Sequence, residues 1–158
     1  MLPFFYTIFL VKSHLFLYLA RHIIYVTEKN RMKKEKFHIE YIFDKVSNRS
    51  LWNHITTALG LSSWFADTVD IRGNVCTFTW KKMQEQAEII DIKPEVSVRY
   101  RWMEEEDENA YFEFIIHTIE LTGSTALEIT DFAEPDEKMD AIDLWDSQVE
   151  VLKRTLGI

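Results

Sequence analysis

The chain has 158 residues, room for one well-filled core and little more. It carries 18 Lys and Arg against 26 Asp and Glu, a net charge of −8, and its 4 Gly and 3 Pro exclude a low-complexity or linker-like chain. The single cysteine, Cys76, excludes an intramolecular disulfide and any Cys-cluster metal site, which is simplest to reconcile with a reducing, cytoplasmic setting.

Charge divides the chain. Residues 1–34 hold Lys12, Arg21, Lys29, Arg31, Lys33 and Lys34 against Glu28, a net +5, which leaves −13 for residues 35–158. A body that acidic repels phosphate backbones and anionic lipid surfaces, so neither nucleic acid nor membrane is an expected partner of residues 35–158. The first 31 residues are rich in Phe, Leu, Ile and Tyr, with uncharged runs over 1–11 and 13–20 split by Lys12. A bilayer-spanning helix wants about 20 consecutive apolar residues, and an interior Lys makes a span costly. Tyr18-Leu19-Ala20-Arg21 lacks the small-residue pattern of a secretory cleavage site. Three readings stand: a weak apolar anchor, an amphipathic helix on a partner, or translated sequence upstream of a natural start at Met32. We favour the third, because Met32-Lys33-Lys34-Glu35-Lys36 reads as an ordinary N-terminus and a folded pattern begins at once after it. The expected division is an N-terminal extension over 1–34 and one domain over 35–158.

Within the body, Phe37, Ile39, Tyr41 and Phe43 alternate with His38, Glu40 and Ile42, a strand period with one apolar face. Ser47 offers an N-cap to a helix carrying Leu51, Trp52, Ile55 and Leu59, which Gly60 closes. Ser62 caps a short second turn bearing Trp64 and Phe65. Strands follow. Residues 68–72 lead into a Gly73-Asn74 hairpin turn. Cys76, Phe78 and Trp80 share a face; residues 81–84 turn the chain, and residues 87–92 form a strand broken by Lys93-Pro94. Val96, Val98, Tyr100 and Trp102 alternate with Ser97, Arg99 and Arg101, which face outward and pair with acids on neighbouring strands. Strand character resumes over 111–121, with Phe112, Phe114 and Ile116 on one face, and after a Thr122-Gly123-Ser124 turn it continues through Leu127 and Ile129 to Phe132.

The last segment changes period. Met139, Ile142, Trp145, Val149, Leu152 and Leu156 form one stripe of a helix of about five turns, capped by Asp136 and closed by Gly157. Consecutive strands on short turns are antiparallel, and a sheet with one apolar face needs a cover. The final helix alone is long and apolar enough to be that cover.

Candidate chemistry is sparse. The run Glu104-Glu105-Glu106-Asp107-Glu108 lacks the Asp-x-Asp-x-Asp-Gly spacing of a calcium loop and reads as a solvated hairpin tip. No two of His14, His22, His38, His54 and His117 stand at the i, i+4 spacing of a helical zinc site, and His38 and His117 fall at the polar parity of their strands. Cys76 falls at the inward parity, where a thiol behaves as a small apolar group. Phosphate loops and nucleophile elbows are absent. No catalytic residue, metal or cofactor is expected; apart from Tyr41 and Tyr100, the inward positions show almost no polar side chain.

The residues 51–57, Leu-Trp-Asn-His-Ile-Thr-Thr, and 60–67, Gly-Leu-Ser-Ser-Trp-Phe-Ala-Asp, resemble the helix pair of START-like (SRPBCC) domains. They look closest to the branch homologous to the activator of the heat-shock-protein-90 ATPase. Phe78-Thr79-Trp80, Val98-Arg99-Tyr100-Arg101-Trp102 and Leu144-Trp145 also resemble the compact START-like proteins of the Bacteroides group. The resemblance covers about residues 35–157 and implies an α+β helix-grip fold: a curved antiparallel sheet of about seven strands around a long C-terminal helix, with a short helix pair after the first strand. It further implies a groove between sheet and helix. Trp52, Trp64, Phe65, Phe78, Trp80, Tyr100, Trp102, Phe112, Phe114, Trp145 and Val149 would line it or simply fill it. Fold does not choose among the relatives' activities. The leading expectation is a non-catalytic domain holding a small hydrophobic ligand or a protein partner in that groove. A chaperone-cofactor-type interaction module comes second, and an enzyme of the cyclase or hydrolase type third.

Overall fold

Alternating apolar side chains build the first strand, β1 (Glu35–Phe43), of a computed structural model that describes residues 19–21 and 33–158. The chain separates into a unit of residues 1–33 and a unit of residues 34–158. Residues 19–21 are helical. The readings of the N-terminal segment as anchor, amphipathic helix or upstream sequence fall on residues outside the described ones. Among the described residues no helix is long and apolar enough to cross a membrane.

After β1 the Ser47 side chain accepts the Ser50 N–H and starts α1 (Asn48–Thr56), as its sequence position indicates. The helix does not run on to Gly60. Thr57 turns extended, with ψ 151°, and its hydroxyl accepts the Gly60 N–H to cap a separate helix, α2 (Ala58–Ser62). This break resets the helical phase, so Leu59 leaves the apolar stripe and stands 85 % exposed. Gly60 sits inside α2, where a Cβ would come within 2.1 Å of the Asn53 carbonyl oxygen. Its role is therefore close approach of the two helices, not termination. Ser62 ends α2 and caps nothing; Trp64 and Phe65 lie in the turn beyond it.

Six strands follow: β2 (Thr68–Arg72), β3 (Val75–Trp80), β4 (Met83–Lys93), β5 (Ser97–Trp102), β6 (Phe112–Thr118) and β7 (Thr125–Ala133). Gly73 makes the first turn with φ +63°, a region open to glycine. The turn after β3 is shorter than the polar run 81–84 implies, and β4 is already paired at Met83 opposite Trp80. A register shift between Ile89 and Asp91 bends β4. Every pairing is antiparallel, in the order β1-β7-β6-β5-β4-β3-β2. The last strand thus returns to lie beside the first, with Glu35 opposite Ala133 and Phe43 opposite Thr125.

The C-terminal helix, α3 (Lys138–Leu156), covers the apolar face with Trp145, Val149 and Leu152, all buried. The Trp145 ring lies 5.8 Å from Phe114 and 6.3 Å from Phe112, which places the helix over the middle of the sheet. This is the expected α+β helix-grip arrangement. Two details differ. Asp136 does not cap α3; Glu137 occupies that place with no side-chain hydrogen bond. Met139 is 65 % exposed, because the first residues of α3 to pack on the core are Ala141 and Ile142.

Candidate functional site

Phe65 organises the inner face. The turn after α2 is tied by the Phe65 N–H to the Leu61 carbonyl, and the Trp64 indole N–H donates to the His54 carbonyl at 2.8 Å. So held, the Phe65 ring meets Phe78 at 4.9 Å, Trp64 at 5.6 Å, Trp80 at 5.7 Å and Trp145 at 6.0 Å. Edge-to-face and offset arrangements at such separations are the favourable ones for aromatic rings. The Trp80 indole N–H donates to the Phe65 carbonyl at 2.7 Å, fixing that ring from the sheet side.

Beneath the N-terminal half of α3 these rings leave a pocket of ≈ 390 Å³, lined by Phe65, Trp80, Glu85, Trp102, Asp131, Ala141, Leu144, Trp145 and Gln148. A size in this range and a mostly apolar wall with few polar groups are the usual features of a small-molecule site. The exposed Leu144 side chain stands on its rim. A neighbouring cavity of ≈ 490 Å³ shares Phe65, Trp80 and Gln148 and is bounded by residues of the α2 turn, including Ser62, Ser63 and Trp64.

Of the aromatic and aliphatic residues expected along the groove, the structure places Phe65, Trp80, Trp102 and Trp145 on the pocket wall. Phe78, Tyr100, Phe112, Phe114 and Val149 are buried in the packing behind it. Trp64 lines the neighbouring cavity, and Trp52 is half-buried against the core. Tyr100 stacks on Phe112 at 5.0 Å while its hydroxyl donates to the Ile55 carbonyl at 2.6 Å. Burial drives its phenol far up, with a smaller contribution from Cys76. Tyr41 turns its hydroxyl to Asp146 on α3 at 2.6 Å. Burial and then that carboxylate push its phenol up.

The expectation of an almost purely apolar inner face is corrected by two carboxylates. Asp131 follows Leu127 and Ile129 at the same parity of β7, opposite Phe37 of β1. Its Oδ2 accepts the Trp145 indole N–H at 2.8 Å and its Oδ1 accepts the Phe132 backbone N–H at 2.8 Å. Burial raises its carboxyl above the ordinary value, outweighing those two bonds and the Lys34 ammonium, which pull it down. Glu85 lies opposite Phe78 in the β3–β4 register and so faces inward too. A parity count from Leu127 reaches Asp131 in the sequence alone; Glu85 is missed because residues 81–84 read as a longer turn.

The other candidates are structural. Cys76 is fully buried, and burial pushes its thiol up to about 11. His54 binds the Ser50 carbonyl within α1 at 2.8 Å. Arg99 pairs with Glu113 directly across β5 and β6 at 3.2 Å and lies over the Tyr111 ring at 4.0 Å. Arg101 instead donates to the Glu108 and Asp107 carbonyls, bracing the acidic loop rather than meeting an acid on a strand. That loop is not wholly solvated: Glu105 is half-buried and paired with Lys34. Burial opposes its charge, yet the Lys34 ammonium and the Asp107 N–H hold its carboxyl below the ordinary value.

A family model described as a START-like superfamily domain matches residues 31–158. No curated protein matches the chain. A solved solution structure of a Bacteroides fragilis protein is 46 % identical, with 80 % of this chain and 94 % of that one covered and a TM-score of 0.59. The Aha1 dimer from Colwellia psychrerythraea superposes with a TM-score of 0.66 at 18 % identity, covering 78 % of this chain and 97 % of that one. A Cytophaga hutchinsonii protein is 12 % identical over 80 % of this chain and 97 % of its own, with a TM-score of 0.62. The last two likenesses are likenesses of fold.

Proposed function

The chain belongs to the START-like superfamily, and from that premise we propose that it is a bacterial, cytoplasmic, non-catalytic carrier or sensor that holds a small hydrophobic ligand between the sheet and α3. The observation that carries this reading is the ≈ 390 Å³ pocket walled by Phe65, Trp80, Trp102 and Trp145. The flat rings on the wall suit a flat or ring-bearing apolar molecule. Asp131, Glu85 and Gln148 supply the few polar contacts that orient a ligand in such a site. Asp131 is itself oriented by two N–H donors, so the ligand's polar end is a hydrogen-bond donor rather than an anion. The reading assigns no chemical step: the Cys76 thiol stays protonated in the core, and Asp131 serves recognition.

Native mass spectrometry of protein purified from its own host tests this. The expected result is a bound apolar species that is lost from a Trp102→Ala variant. A bare chain mass, together with no uptake of environment-sensitive apolar dyes, overturns it. A second reading, an interaction module of chaperone-cofactor type, draws on the −13 charge of residues 35–158. It expects a basic partner surface and binding that weakens steeply as salt is raised, whereas occupation of the apolar pocket holds or strengthens.

A further inference from the structure

The outer face of the sheet carries a cluster that the pocket does not use. Glu40 of β1 and Glu128 of β7 are direct cross-strand partners. Like charges directly opposite one another on a sheet are destabilising, so the pair gains from groups that engage the two carboxylates from either side. His117 of β6 supplies one side: its Nε2 lies 3.0 Å from Glu40 Oε2. His38 of β1 supplies the other: its Nδ1 lies 3.4 Å from Glu128 Oε1 and 2.8 Å from Thr130 Oγ1. One ligand atom each from Glu40, His117 and Glu128 lies within 4.8 Å of the others. All of these side chains stand at the parity opposite Phe37, Ile39, Leu127 and Ile129, away from α3 and the pocket.

We propose that Glu40, His117 and Glu128 bind a divalent transition-metal ion of zinc type on the outer face of β1, β7 and β6, with His38 as a positioning residue for Glu128. The donor set decides the class. One imidazole nitrogen with two carboxylates suits zinc and its neighbours, whereas calcium and magnesium favour more numerous oxygen ligands. Zinc binds such atoms at about 2.0–2.2 Å, so tetrahedral ligand atoms stand about 3.4 Å apart. The His117–Glu40 separation already lies near that, and small side-chain rotations bring Glu128 in. Three protein ligands leave the fourth position to water. A metal here joins three neighbouring strands, β1, β7 and β6, and so ties the first strand of the chain to the last. The His38 ring, with Nδ1 3.4 Å from Glu128 Oε1, biases the position of that carboxylate, as outer partners do in metal sites. This site is independent of the pocket reading, since no residue is shared.

Calorimetric titration of the full chain with Zn²⁺ tests the proposal, alongside His117→Ala and Glu128→Gln, both on a solvated face and checked for folding by circular dichroism. One saturable Zn²⁺ per chain is expected, lost in both variants and unchanged in His54→Ala. His38→Ala should weaken binding about tenfold and shift the visible spectrum of Co²⁺ seated at the site, a change that a purely structural role leaves untouched. No saturable uptake, or uptake that survives both His117→Ala and Glu128→Gln, overturns the site.

Discussion

The C-terminal helix covers two unlike regions of one groove. Along its second half, Val149 and Leu152 are fully buried, and the Lys153 ammonium lies 5.9 Å from the centre of the Phe43 ring, itself fully enclosed. Along its first half, Ala141, Leu144 and Trp145 border open space, as does Gln148 just past the midpoint. The difference lies in the side chains. Branched aliphatic groups are compact and interdigitate to crystal-like density. At the open end, large rings are held by polar anchors: Trp80 by the Phe65 carbonyl, Trp145 by Asp131. An anchored indole cannot rotate to fill a gap, so the anchors that fix the rings also preserve the pocket. One end of the groove provides stability, and the other spends packing on a cavity.

The sharpest way to break this contrast is Trp145→Ala, at a residue that is both buried and part of the pocket wall. Loss of a buried Trp should cost about 3–5 kcal/mol in urea unfolding, and it also removes the donor on Asp131. A loss below about 1 kcal/mol, small beside the cost of the lost transfer and cavity, would mean the helix is not the cover. Leu152→Ala should cost about 2–5 kcal/mol while leaving pocket occupancy unchanged in dye-binding assays. If it weakens occupancy as much as Trp102→Ala does, the two ends are not separate. Tyr100→Phe orphans the buried Ile55 carbonyl and should cost about 1–3 kcal/mol, read from the urea midpoint, again with occupancy intact.

The smallest effect is one of slope. Asp131 has a raised carboxyl, so the folded chain takes up a proton ahead of the unfolded one. Its contribution to stability therefore grows as pH falls from neutral through that raised value, and stops changing below the ordinary 3.8. Glu105, lowered from 4.5, runs the other way: its contribution is full above 4.5 and is lost as pH falls through the lowered value. Above 4.5 the Glu105 contribution is constant, so Asp131→Asn should remove the gain in urea midpoint that Asp131 contributes as pH falls from neutral toward 3.8. An unchanged slope would place the Asp131 carboxylate in ordinary solvent and remove it from the enclosed wall.

Much of this is legible in the sequence. The alternation Phe37, Ile39, Tyr41, Phe43 and the stripe Trp145, Val149, Leu152 each report a local backbone period, and Ser47 signals its helix start through a bond three residues away. The misses share a cause. Leu59 fits the helical spacing from Leu51, but a single extended residue, Thr57, breaks the phase. Asp136 is a good cap by type, yet the chain enters α3 one residue later. Glu85 faces inward only because β4 pairs with β3 as far as Met83. The Glu40–His117–Glu128 cluster joins residues far apart in the chain, and no spacing in the sequence announces it.

The sequence by itself determined the element order, the antiparallel sheet, the helix that covers it and which side chains are apolar enough to lie between them, because binary pattern and turn chemistry act over a few residues. Only the tertiary structure decided which of those rings became wall and which became filling, where Asp131 and Glu85 stand, and which histidine meets which carboxylate. Those outcomes depend on the register of distant strands and on hydrogen bonds that turn individual rings, and both are settled when the chain closes β7 against β1.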